Sequence, residues 1–181
     1  MGHRLGRVLV TQQEIAARVQ ELGQELARDY QGRDPLLVAV LKGAVVFLAD
    51  LMRATEFPLA CDFIGVSSYG ASSRTSGVVK ITADLSQTIE GRHVLVVEDI
   101  IDTGRTVAYL KRNLLTRHPQ SLRICTLLDK VGRREVEVEL DYVGFSIPNE
   151  FVVGYGLDYL GLYRNLPHIA VLEPEGGGEL P

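Results

Sequence analysis

The strongest chemical signal in the chain is Val94-Leu95-Val96-Val97-Glu98-Asp99-Ile100-Ile101-Asp102-Thr103-Gly104-Arg105-Thr106. Four apolar residues end in two adjacent carboxylates; a third carboxylate, Asp102, then leads into a small-residue turn that opens a helix. A glycine in such a turn lets backbone N–H groups approach an anion closely, and the helix N-terminus adds the positive end of its dipole. Thr103 and Thr106 add hydroxyl donors, so the turn is suited to a phosphate. Three carboxylates beside it would repel that phosphate unless a divalent cation, or a ribose whose hydroxyls donate to Glu98 and Asp99, offsets them. Mg²⁺ commonly combines one or two carboxylates with substrate phosphates. The motif therefore asks for a ligand carrying ribose, phosphate and magnesium together. The competing reading is an acidic loop in which Asp102 merely caps the helix. The Walker pattern G-x-x-x-x-G-K-[ST] is absent, which argues against a kinase-like or synthetase-like enzyme.

The elements needed to hold this loop are also legible. Thr11 and Glu14 form a capping box, and Ile15, Val19, Leu22 and Leu26 share one helical face, predicting a helix over 11–30. Continuous apolar runs at 36–41 and 94–97, and apolar segments at 59–66 and 122–128, read as strands, with Phe151–Tyr155 as a further one. Helices over 43–53 and 104–117 fall between them. Strand–helix alternation implies an α/β domain with a mostly parallel central sheet flanked by helices on both sides. Ligands in such sheets bind beyond the carboxyl ends of the strands, which is where the acidic loop falls. Residues 67–77, rich in Ser and Gly, read as a mobile loop, and 173–181 as a disordered tail after a single domain over 1–172.

Composition narrows the classes. The chain has 181 residues, the size of one domain, and a net charge of −4, which argues against a nucleic-acid binder. Cys61 and Cys125 lie in apolar runs and read as buried thiols; the four histidines form no cluster at ligand spacing. The N-terminus lacks a secretory pattern, and no apolar run approaches the roughly 20 residues of a membrane span, so a cytoplasmic protein is expected.

On these residues the chain resembles the type I phosphoribosyltransferases, in their hypoxanthine-guanine branch. Glu98–Thr106 looks like the family's phosphoribosyl-pyrophosphate signature, and the likeness runs from about Val8 to Leu172. The resemblance implies a small hood built from chain-terminal segments, and a loop carrying Ser68 and Tyr69 that closes over the reacting centre. It implies pyrophosphate binding by Lys42, Gly43 and Arg164, with a cis peptide around the Lys42-Gly43 bond. Glu98, Asp99, Asp102, Thr103, Gly104, Arg105 and Thr106 would hold the ribose and 5′-phosphate. Lys130, Phe151, Val152 and Asp158 would bind the purine; Glu98 and Asp99 would organise Mg²⁺, and Asp158 would help hold a second Mg²⁺ through its water shell. Asp102 is the expected general base for the purine N7 proton. The implied activity is purine salvage: transfer of the phosphoribosyl group of phosphoribosyl pyrophosphate to hypoxanthine or guanine, giving IMP or GMP, by a homodimer or homotetramer. The alternatives are a xanthine preference on the same fold, or a nucleotide-sensing regulatory protein.

Overall fold

A computed structural model describes residues 3–69 and 78–174. Its centre is a six-stranded sheet of order β4-β3-β2-β5-β6-β7. The strands are β2 (Leu36–Leu41), β3 (Ala60–Tyr69), β4 (Val78–Ala83), β5 (His93–Ile101), β6 (Ser121–Asp129) and β7 (Tyr142–Ser146). All neighbours are parallel except β3 and β4, which form an antiparallel pair. Parallel strands covered on both faces need no polar alternation, and Leu36–Val40 and Val94–Glu98 are buried without a break.

The helices are α1 (Gln12–Tyr30), α2 (Val45–Arg53) and α3 (Arg105–Leu115). α1 starts as its sequence dictates: Thr11 accepts from the Glu14 N–H at 3.2 Å, and the Glu14 carboxylate takes the Thr11 N–H at 2.8 Å. α1 and α2 pack on one face of the sheet with Leu37, Ala39, Leu95 and Val97; α3 packs on the other with Leu36, Val38, Val94 and Val96. Alternate residues of each central strand thus serve opposite cores, as period-two geometry requires.

A second, antiparallel sheet of order β1-β9-β8 joins β1 (His3–Val10), β8 (Val152–Val153) and β9 (Ile169–Pro174). It is built from the two ends of the described chain. Glu173 and Pro174, which the sequence assigned to a tail, belong to β9: they lie opposite Arg4 and His3, and Arg4 pairs with Glu173 at 2.7 Å. Residues 175–181 lie outside the described residues.

Two further expectations change. Ser67–Tyr69 continue β3 rather than belonging to a loop, because Val78–Ala83 supplies an antiparallel partner in which Ser67 lies opposite Lys80. The remainder of the expected loop, 70–77, lies outside the described residues, as do the side chains of Ser68 and Tyr69. Cys61 is exposed whereas Cys125 is buried. On β3, Asp62 and Ile64 turn inward while Cys61 and Phe63 face outward, so only one surface of this stretch is covered. Among the described residues no helix is long and apolar enough to cross a membrane.

Candidate active site

At the carboxyl ends of β2 and β5, residues from five separated stretches surround one cleft of about 320 Å³. Lys42 and Gly43 enter it from the turn after β2; Glu98 and Asp99 from β5; Asp102, Thr103, Gly104 and Thr106 from the loop into α3; and Asp158 and Arg164 from the turns after β8. Val66 of β3 completes the wall. Most of the residues that the sequence assigned to ribose, phosphate and pyrophosphate are therefore brought together.

The loop into α3 has the form of an anion cradle. Gly104, with φ 83°, stands at the N-cap of α3, and no side chain caps the helix. The Arg105 N–H donates to Thr103 Oγ1 at 3.4 Å, and the remaining first-turn N–H groups of such a helix can meet a ligand. Asp102 is thus not the cap of α3. Only glycine suits position 104: the positive φ strains an L residue, and a Cβ there would overlap the Val136 carbonyl. The same segment ties the loop down, since the Glu135 and Val136 N–H groups donate to the Thr103 carbonyl at 2.9 and 3.0 Å. The Arg105 side chain does not enter the cleft; it pairs with Glu135 at 2.5 Å.

Glu98 is buried at 5% exposure. Burial, and then the neighbouring Asp99 charge, push its carboxyl well above the usual carboxylate range. Asp99 is also raised by burial, against lowering contributions that include the Ile100 N–H, which it accepts at 2.8 Å, and the Arg164 charge. Two desolvated adjacent carboxylates are a hard oxygen donor set of the kind Mg²⁺ takes, and such a cation would favour their ionised form. Asp158 does not complete a three-carboxylate nest: no group of three metal-ligating side chains occurs among the described residues. Its carboxylate is held instead by Arg164 at 2.5 Å and the Gly161 N–H at 2.7 Å. Arg164 also donates to the Gly156 carbonyl at 2.5 Å. The residues present therefore fit a cation held by one or two carboxylates and completed by substrate oxygens.

The turn after β2 carries a cis peptide between Leu41 and Lys42, one bond earlier than the sequence suggested. Gly43 lies so close to Asp99 that a Cβ would overlap its carboxylate.

Of the expected base-binding residues Asp158 lines this cleft, whereas Lys130, Phe151 and Val152 are not in its lining. Lys130 is buried at 6% exposure; its N–H donates to the Ile101 carbonyl at 2.9 Å, and its ammonium stands 3.9 Å from Asp102 Oδ2. Burial lowers the Lys130 pKa, although the Asp102 charge opposes that. Phe151 packs edge-on against Tyr159 at 5.6 Å between ring centroids, and Val152 is buried opposite Val171 of β9. Sequence reasoning missed Arg133, whose Nε lies 3.5 Å from Asp102 Oδ1. Its three-residue spacing from Lys130 was the available signal.

Comparison with known proteins agrees with this geometry. The chain is 53% identical to a hypoxanthine-guanine phosphoribosyltransferase of Mycobacterium avium, over 92% of this chain and 85% of that one. It is 52% identical to a bifunctional TilS/HprT protein of Listeria monocytogenes, covering 97% of this chain but spanning only 27% of that protein's length. A crystal structure of a hypoxanthine phosphoribosyltransferase from Staphylococcus aureus superposes with a TM-score of 0.91 at 46% identity, covering 97% of this chain and 95% of that one. The phosphoribosyl transferase domain matches residues 8–160. That span takes in every strand of the central sheet and the whole anion cradle, and the chain belongs to the phosphoribosyl transferase domain family.

Proposed function

We propose that the chain is a purine-salvage enzyme, a glycosyltransferase that moves the 5-phosphoribosyl group from phosphoribosyl pyrophosphate to hypoxanthine or guanine. The observation that carries this reading is the union, in one cleft, of a helix N-terminus without a side-chain cap with the buried Glu98 and half-buried Asp99. The first is suited to a 5′-phosphate, the second to a sugar diol and its cation. The names of the relatives favour the same activity.

In this reading Thr103, Gly104 and Thr106, with the N-terminal amides of α3, hold the 5′-phosphate. Glu98 and Asp99 accept from the ribose hydroxyls. Lys42, the backbone at Gly43, and Arg164 receive the pyrophosphate; Arg164 must turn from Asp158 to do so. Mg²⁺ bound at Glu98 and Asp99 would neutralise charge on the departing pyrophosphate. Bond breaking runs ahead of bond making, so the sugar gains cationic character and the protein's part is positioning and charge stabilisation. Lys130 directs its ammonium at the exocyclic oxygen of a 6-oxopurine, with Phe151 stacked on the ring and the Val152 backbone at its edge. Asp102 accepts the N7 proton as the N9 bond forms. The enzyme is expected to act as a homodimer or homotetramer.

Turnover of hypoxanthine, guanine, xanthine and adenine with phosphoribosyl pyrophosphate tests the assignment. Hypoxanthine or guanine should lead; xanthine leading would reassign the base, and no turnover of any base would remove the enzymatic reading. Replacing Asp102 by Asn should lower kcat by about 10²–10⁴-fold, the usual contribution of a general base. Near-normal turnover in that variant would take the role from Asp102.

A further inference from the structure

The two oxygens of Asp102 have different surroundings. Oδ2 faces the Lys130 ammonium at 3.9 Å, on the side proposed for the purine. Oδ1 is buried and has no hydrogen-bond partner among the described residues; the Arg133 Nε stands 3.5 Å away. A buried carboxylate oxygen left without a donor is costly, and a guanidinium just outside hydrogen-bond range is the natural group to satisfy it. Local structure explains why Arg133 is there. Residues Val131–Arg133 form a 3-10 turn whose preceding residue is Lys130, and in such a turn residues three apart lie on the same side. Lys130 and Arg133 are therefore presented together toward Asp102. The turn is anchored at its base, where Arg134 pairs with Asp129 at the end of β6.

We propose that Arg133 is a positioning residue for the proton transfer: it closes onto Oδ1 and fixes the carboxylate with Oδ2 toward the purine. This rests on the reading of Asp102 as general base. In the step, the N7–H bond breaks, its electron pair returns to the ring, and the proton passes to Oδ2. Arg133 exchanges no proton; it holds the acceptor in one orientation. Its side chain is half exposed in the open site, where an ion pair contributes little. Its effect grows once the bound base excludes water. The expected signature is a kinetic loss with little change in stability.

The test is the single-turnover rate of IMP formation, together with the melting temperature, in five proteins: wild type, Arg133→Gln, Arg133→Lys, Asp102→Asn and the double variant Asp102→Asn/Arg133→Gln. Arg133→Gln should slow the step about tenfold, the scale of one charge-assisted hydrogen bond, with the melting temperature held. Arg133→Lys, which restores the charge, should recover most of the rate. In the Asp102→Asn background the Arg133→Gln change should add nothing further. An Arg133→Gln enzyme as fast as wild type, or a loss that multiplies undiminished in the Asp102→Asn background, would overturn the proposal. Those outcomes leave Asp102 untouched as base, provided that Asp102→Asn is itself slow. An Asp102→Asn enzyme at full speed removes both.

Discussion

Lys130 is a residue whose cost and proposed use oppose each other. It is buried, and burial lowers its pKa from the ordinary 10.5. Below that lowered value both folded and unfolded chains carry the charge, so the full desolvation penalty is felt. Between it and 10.5 the unfolded chain binds more protons, so stability rises with pH. Replacing Lys130 by Met should therefore raise the melting temperature at neutral pH. The gain should shrink as the pH climbs toward 10.5, and discrimination of hypoxanthine from adenine should weaken. Thermal melts at pH 7 and pH 10, with a base panel, check all three; a variant less stable than wild type at neutral pH would count against a net burial cost. Legibility at this scale followed contiguity. Glu98 through Thr106 could be read because they form one uninterrupted motif. The pairing of Arg164 with Asp158 could not, nor could the turning of Arg105 toward Glu135, because side-chain direction is set by neighbours that only the fold supplies.

The turns that precede α2 and α3 work by close approach, and each can be tested with one methyl group. Gly43→Ala places a Cβ against the Asp99 carboxylate and should displace it from the ribose and metal position. A misplacement of about 1 Å can cost on the order of 10²-fold in rate, so kcat/KM for phosphoribosyl pyrophosphate should fall by about that factor. Unchanged kinetics in that variant would mean that Asp99 has room to yield. Gly104→Ala meets the Val136 backbone at a positive φ and should destabilise by about 1–3 kcal/mol in denaturant melts, since neither the carbonyl nor the φ can relax cheaply. The strands that close the structure were harder to read than these turns. β2, β5 and β6 are buried apolar runs, and α1 has its capping box, so each element carries its own signal. β1 is exposed at half of its residues and is a strand because β9, more than 150 residues later, pairs with it. β4 and β7 likewise owe their register to β3 and β6. Pairing between distant segments leaves little periodicity in either partner alone.

Across the whole molecule, the hood and the main sheet are not separate bodies. Val10 of β1, Val152 of β8 and Ile169 of β9 belong to the same buried cluster as Ile15 and Leu22 of α1, Phe47 and Leu51 of α2, and Val97 of β5. The helices on this face thus share one core with the sheet that carries the carboxylates and with the hood that carries Val152. The opposite face, under α3, has its own cluster and receives no residue from the hood. A continuous core predicts that the hood unfolds with the domain, not before it. Ile169 has no exposed surface, so Ile169→Ala should cost about 2–5 kcal/mol, the usual range for removing a large buried aliphatic side chain. That loss should move the entire urea transition while leaving it single. Far-ultraviolet circular dichroism reports the helices, and tyrosine fluorescence includes Tyr155, buried beside the hood. The two signals should shift together in the variant. An early fluorescence transition at urea concentrations where the helices persist would show that the hood detaches independently. The purine side of the site would then be assembled on a part of the fold less stable than the cradle that holds the phosphate.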